Sequence, residues 1–165
     1  MLYVGVGDEG DAGGAQDPAK LVGKVLRVTP DGQPAPGNPT AGSPVWASGF
    51  HNPTAFGWDD QGRMYGADQG VDQQDEVDLL QAGGNYGWPL VQGTIGTDVD
   101  KSAHTGPLVT WYFKDATPQG LLVTGDAVYV VGSRNRVWRI PRNRDSLGAP
   151  QALYQDVFLL SLIHI

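Results

Sequence analysis

Short apolar runs broken by Gly, Pro, Asp and Asn dominate this chain, and the periodicity of an amphipathic helix is nearly absent. The runs with the length and the β-branched or aromatic content of strands are LYVGV (2–6), KVLRV (24–28), GRMYGA (62–67), EVDLL (76–80), LVTWYF (108–113), GLLVTG (120–125), AVYVV (127–131) and RVWRI (136–140). A weak helical turn is predicted only near 17–21. The stretch 29–44, TPDGQPAPGNPTAGSP, reads as an ordered surface excursion without regular structure.

The pattern repeats. Tyr3, Tyr65 and Tyr129 each sit in a short strand followed by a polar loop: GDEGD (7–11), DQGVDQQDE (68–76) and GSRNR (132–136). Each loop leads into a second strand of similar cadence, VLRV (25–28), VDLL (77–80) or VWRI (137–140). The tyrosines stand 62 and 64 residues apart, and a strand-rich unit at a fixed period predicts a β-propeller or solenoid. The period exceeds the usual ~40–45 residues of a blade, so large loops are expected. The expected fold is all-β, with about two and a half blades, where closed propellers take roughly four to eight. Met1 begins inside a strand, and the reading is a piece of a longer chain: a partial propeller domain over 1–156 and a tail over 157–165, VFLLSLIHI. That tail is either a genuine strand or foreign sequence.

Composition narrows the function classes. A net charge of −7 argues against nucleic acid or an anionic membrane surface as the main partner. The absence of cysteine excludes disulfide and thiol chemistry. No apolar run approaches the roughly 18 residues of a membrane-spanning helix, and the start shows no signal-peptide pattern. The 24 glycines and 12 prolines sit at recurring turns rather than in low-complexity tracts.

Candidate chemistry gathers in 75–89, DEVDLLQAGGNYGWP. The acids Asp75 and Glu76 precede a strand-like run, a Gly-Gly turn and the corner 86–89. Calcium takes about six to eight oxygens from carboxylates and turn carbonyls, and such an arrangement can supply them. The plain alternative is that Glu76 is an exposed loop acid and Trp88 only packs. Asp8 and Asp11 are expected to hydrogen-bond a blade corner.

Taken in order, LYVGVGDEGDAGGAQDPAKLVGKVLRVTPDG (2–32), GFHNPTAFGWDDQGRMYGADQG (49–70) and DEVDLLQAGGNYGWP (75–89) resemble the soluble pyrroloquinoline-quinone (PQQ)-dependent glucose/sorbosone dehydrogenases. The similarity continues more thinly through 116–140. The resemblance implies a six-bladed β-propeller that oxidises the anomeric carbon of an aldose to a lactone, with PQQ and calcium as cofactors. A sugar substrate, an external electron acceptor and a periplasmic or secreted location follow from the same resemblance. The family's Gly-x-Arg-Asn-Pro motif falls on Gly49, Phe50, His51, Asn52 and Pro53, which makes His51 and Asn52 candidate quinone contacts. His51 stands where arginine is usual. A histidine lacks the permanent charge and bidentate fork with which arginine holds a carboxylate.

By the same resemblance, the carbonyls of Gly70 and Val71 bind the cofactor-linked calcium. Glu76 and Tyr86, the latter through its backbone carbonyl, bind a second calcium. Arg134 is the counterpart of a basic residue that reaches the quinone; alternatively Arg134, Arg136 and Arg139 lie on a solvated strand face. The family's catalytic histidine falls upstream of the first matched strand, so none of His51, His104 and His164 takes that role and no catalytic residue is assigned. Two other readings stay open: a non-catalytic calcium-binding propeller relative, and a lactonase-like propeller hydrolase. The sugar, the electron acceptor and the oligomeric state are not assigned.

Overall fold

A tyrosine facing an arginine across two antiparallel strands occurs twice in the computed structural model of this protein. Strands β1 (Leu2–Val6) and β2 (Lys24–Val28) pair with Tyr3 opposite Arg27. Strands β11 (Ala127–Gly132) and β12 (Arg136–Asn143) pair with Tyr129 opposite Arg139. Two of the three repeats seen in sequence therefore share a strand register. The structure describes residues 1–72, 74–96, 103–112, 115–133, 136–143 and 146–154. Arg134 and the 157–165 tail lie outside them.

Two units are present, the first comprising 1–53 with 80–106 and the second 54–79 with 107–165. In the first, β1, β2 and β3 (Val45–Ser48) form an antiparallel sheet in that order. A bulge between Val25 and Leu26 shifts the β2–β3 register. Buried Val25, Trp46 and Ala47 carry its apolar side, and the Tyr3 ring meets Trp46 edge-on at 5.2 Å. A 3-10 helix (Ala12–Gln16) fills the β1–β2 connection. It lies upstream of the helical turn predicted at 17–21, because the Asp11 side chain caps its start at Gly14 N.

The second unit holds two sheets. One has the order β4 (Pro53–Trp58), β5 (Met64–Asp68), β6 (Gln74–Leu80), β9 (Val109–Tyr112). The short ladder β7 (Val91–Gln92) with β8 (Ile95–Gly96) belongs to the first unit. The other sheet runs β10 (Pro118–Val123), β11, β12, β13 (Ser146–Leu147), with β14 (Gln151–Tyr154) also on β12. Tyr65, Ala67, Val77, Trp111, Val128, Val130 and Ile140 form their shared core. All five residues of β5 are buried, as expected of a strand covered on both faces.

Strands β3 and β4 were not predicted. β4 opens on Pro53 and contains Gly57, two residues that weaken a strand signal. The glycine is there for packing: a Cβ at 57 would stand 2.7 Å from the Leu121 side chain and 2.9 Å from that of Val123. Among the described residues no helix is long and apolar enough to cross a membrane.

Candidate functional site

The loop leaving β1 is fixed by its first acid. The Asp8 backbone N–H donates to the His51 carbonyl at 2.8 Å. One Asp8 carboxylate oxygen accepts from Gly10 N at 3.0 Å, and the other from Trp88 Nε1 at 2.9 Å. Asp8 is buried; it ties the β1 loop to the 86–89 corner. Asp11 caps the 3-10 helix and pairs with Lys20 at 2.7 Å, a hydrogen bond that holds its carboxyl below the usual range. Both aspartates thus make the corner bonds that their loop predicts.

The segment 49–52 runs past these anchors. Gly49 N–H reaches the carbonyls of Ala15 and Gly23, and Gly49 O accepts from Trp88 N at 3.0 Å. Gly49 has φ +82°, and a Cβ there would collide with Asn85 Oδ1 and lie 2.6 Å from Gly87 N. Only glycine lets the two backbones approach this closely. Phe50, 1% exposed, stacks on Tyr86 with centroids 4.7 Å apart. The His51 ring meets Trp88 edge-on at 5.0 Å. Trp88 therefore does more than pack: it donates to Asp8 and shapes the wall beside His51.

Between the β1 loop and this segment opens a cavity of about 200 Å³ lined by Gly7, Asp8, Glu9, His51 and Asn52. A methyl at Gly7 would lie 3.4 Å from both Asn52 Oδ1 and Glu9 Oε1, so glycine keeps the floor open between them. Glu9 has φ +52°, a left-handed conformation uncommon outside glycine. Sequence reading placed His51 and Asn52 together but missed Glu9. The only signal available was its place between Asp8 and Gly10 in the first repeat loop.

The remaining candidates lie elsewhere. Gly70 and Val71 follow β5 in the second unit; Gly70 N–H donates to Asp75 Oδ1 at 2.9 Å, and Val71 is exposed. Asp75, fully buried, also accepts from Thr117 N at 2.6 Å. Glu76 is 5% exposed and sits inside β6 opposite Thr110, which corrects the alternative of an exposed loop acid. The strand begins at Gln74, two residues before the predicted start, because β9 pairs with those residues too. Asp78, one pleat further on, is buried with neither oxygen hydrogen-bonded among the described residues; burial, then the charge of Asp68, push its carboxyl well above the usual range.

Tyr86 belongs to the first unit, and its hydroxyl accepts from Gln81 N at 2.9 Å. Arg136 and Arg139 pair with Asp115 and Asp126 at part-exposed positions, as on a solvated face. Among the described residues no group of three or more His, Asp or Glu converges as a metal cage. The candidate calcium donors include backbone carbonyls, which such a grouping does not contain.

The chain is thus all-β, two of its sheets repeat a strand register, and a small polar cavity lies beside the Gly-Phe-His-Asn loop. The sequence model of the Glucose / Sorbosone dehydrogenase family matches residues 1–135, and the chain belongs to that family. It is 37% identical over 75 residues to quinoprotein glucose dehydrogenase B of Acinetobacter calcoaceticus, covering 44% of this chain and 16% of that protein. It is 32% identical over 95 residues to the aldose sugar dehydrogenase YliI of Escherichia coli (strain K12), covering 54% of this chain and 26% of that protein. The solved PQQ-bound aldose sugar dehydrogenase of Streptomyces coelicolor superposes with a TM-score of 0.85 at 41% identity, over 92% of this chain and 45% of that one. This chain therefore spans less than half of that solved chain.

Proposed function

We propose that this chain supplies part of a PQQ-dependent aldose dehydrogenase, with residues 1–156 as its propeller portion and 49–52 as part of the quinone pocket. The observation carrying this reading is the Asn52 amide, held on a polar cavity within the stretch that matches the family. The lining fits a quinone at Asn52, whose amide offers both a donor and an acceptor, and at Gly7, where a side chain would fill the space. In the family reaction PQQ supplies the oxidant for the hydride leaving the anomeric carbon, and calcium polarises it.

The chain's own residues orient and hold. Asn52 and His51 contact the cofactor, and Arg134 joins them from the GSRNR loop. The carbonyls of Gly70 and Val71 take the cofactor-linked calcium, while Glu76 and the Tyr86 carbonyl take a second calcium. The proton acceptor, the product lactone, the external electron acceptor and a periplasmic or secreted setting complete the proposal. None of the three histidines of this chain is assigned as the base.

A second reading has its own observation. Among the described residues the cavity lining carries two carboxylates and no lysine or arginine, which disfavours a polyanionic quinone. A calcium-binding propeller relative without the quinone fits that charge. Equilibrium titration with PQQ in the presence of calcium separates the two. Micromolar or tighter binding, weakened about tenfold or more by Asn52→Ala, is expected; no binding sinks the dehydrogenase reading and leaves the relative.

A further inference from the structure

Asp75 is not among the proposed cofactor contacts, and yet three loops of the second unit meet at it. Its side chain is fully buried. One oxygen accepts from Gly70 N at 2.9 Å and the other from Thr117 N at 2.6 Å. The first bond closes the turn after β5, with Gly70 buried and Val71 exposed. The second reaches across 42 residues to the turn 116–118 before β10.

That second turn is fixed from several sides. Thr117 has φ +46°, an outlier for a β-branched residue. Ser133 N donates to the Thr117 carbonyl at 3.1 Å, and the Thr54 hydroxyl donates to the Pro118 carbonyl at 2.9 Å. Ala116 is fully buried, and a Cβ at Gly132 would collide with its carbonyl. A strained conformation persists only where its surroundings over-determine it, and such places cluster at ligand clamps. Asp75 also brings charge. The Gly70 and Val71 carbonyls are neutral donors, and a carboxylate one hydrogen bond from Gly70 attracts a cation most strongly where water is excluded. We propose that Asp75 is a positioning residue of the cofactor site: it fixes the turn offering the Gly70 and Val71 carbonyls, joins that turn through Thr117 to Ser133 at the end of β11, and adds a negative charge beside the calcium. This role rests on the dehydrogenase reading for the calcium donors alone.

Calcium is titrated into the 165-residue chain and into its Asp75→Asn and Val77→Ala variants, with the Gly70 and Val71 amide resonances followed by NMR. Asp75→Asn keeps the size of the side chain and removes its charge. It should weaken calcium at the Gly70 turn by about tenfold or more. Val77→Ala, fully buried on the same strand, should lower the urea midpoint through the cavity it leaves and keep calcium affinity within about twofold. A merely structural Asp75 would make the two variants alike. In the unaltered chain, calcium should also shift the Thr117 and Ser133 amides and slow their hydrogen exchange, a readout that does not depend on the variant folding. No calcium binding at Gly70, an affinity that Asp75→Asn leaves within twofold, equal losses in both variants, or silent Thr117 and Ser133 amides each overturn the proposal. PQQ titration with calcium present keeps the two readings apart. Calcium binding that depends on Asp75 without PQQ binding defeats the dehydrogenase reading alone, whereas PQQ binding with a calcium affinity indifferent to Asp75 defeats the role of Asp75 alone.

Discussion

Lys24 is 1% exposed, and its ammonium donates to three carbonyls: Gly14 at 2.7 Å, Ala15 at 2.9 Å and Val22 at 2.9 Å. Burial pushes its pKa down, with the charges of Asp17 and Asp11 opposing. Two of those carbonyls belong to the last turn of the 3-10 helix, so one side chain ties that helix to β2. Lys24→Met keeps the stem and removes the donors. It should cost about 1–3 kcal/mol, since the Gly14 and Ala15 carbonyls keep the backbone donors Asp17 and Gly49 and the Val22 carbonyl loses its donor. A urea midpoint that falls with an unchanged slope checks this. Sequence reading took Lys24 for the ordinary start of a strand. Nothing in KVLRV says that its first residue points inward, because the carbonyls of Gly14 and Ala15, nine and ten residues back, decide it together with that of Val22. Glu9 was hidden for the same reason. Asp8, Glu9 and Asp11 look alike in GDEGD, and only the structure separates Asp8 and Asp11, which bind the corner, from Glu9, which stands at φ +52° on the cavity rim.

At the scale of elements, the loop 49–52 is held by backbone bonds to Asp8, Ala15, Gly23 and Trp88, and Gly49 makes those to Ala15, Gly23 and Trp88. Gly49→Ala forces φ +82° on a residue with a Cβ and drives that Cβ into Asn85. A loss of more than about 2 kcal/mol is expected, measured by thermal or urea unfolding. Asn85 is itself locked to Gln16 by a reciprocal amide pair, at 3.1 and 2.8 Å, so it cannot swing aside cheaply. His51 and Asn52 were read from their likeness to the family's Gly-x-Arg-Asn-Pro motif, which Gly49 and Pro53 frame. Strands β3 and β4 on either side were not: one is four residues long and the other starts on a proline and carries a glycine. Their pairing comes from partners distant in sequence, which no local pattern contains.

For the whole molecule, the strand repeat was the most legible feature, and it follows from register. Tyr3 with Arg27 and Tyr129 with Arg139 mark equivalent positions in two sheets, so the spacing of the tyrosines reported an architecture before any contact was known. The proposed calcium donors are less legible, since backbone carbonyls leave no trace in residue identity. If calcium binds as proposed, it stabilises the folded chain by mass action, and a hundredfold excess over the dissociation constant adds about 2.7 kcal/mol. Glu76→Gln should reduce the calcium-dependent rise in unfolding temperature by half or more; an unchanged rise removes Glu76 from the donor set.

The buried Asp75 has a bearing on how such a cation would arrive. Its two oxygens grip the amides of Gly70 and Thr117, and Thr117 is held at φ +46°. The turn that presents the Gly70 and Val71 carbonyls is therefore shaped by an internal anion, without waiting for an external cation. On the proposed calcium site, capture would require little ordering of the chain, and the free energy of coordination would go into affinity rather than into building the turn.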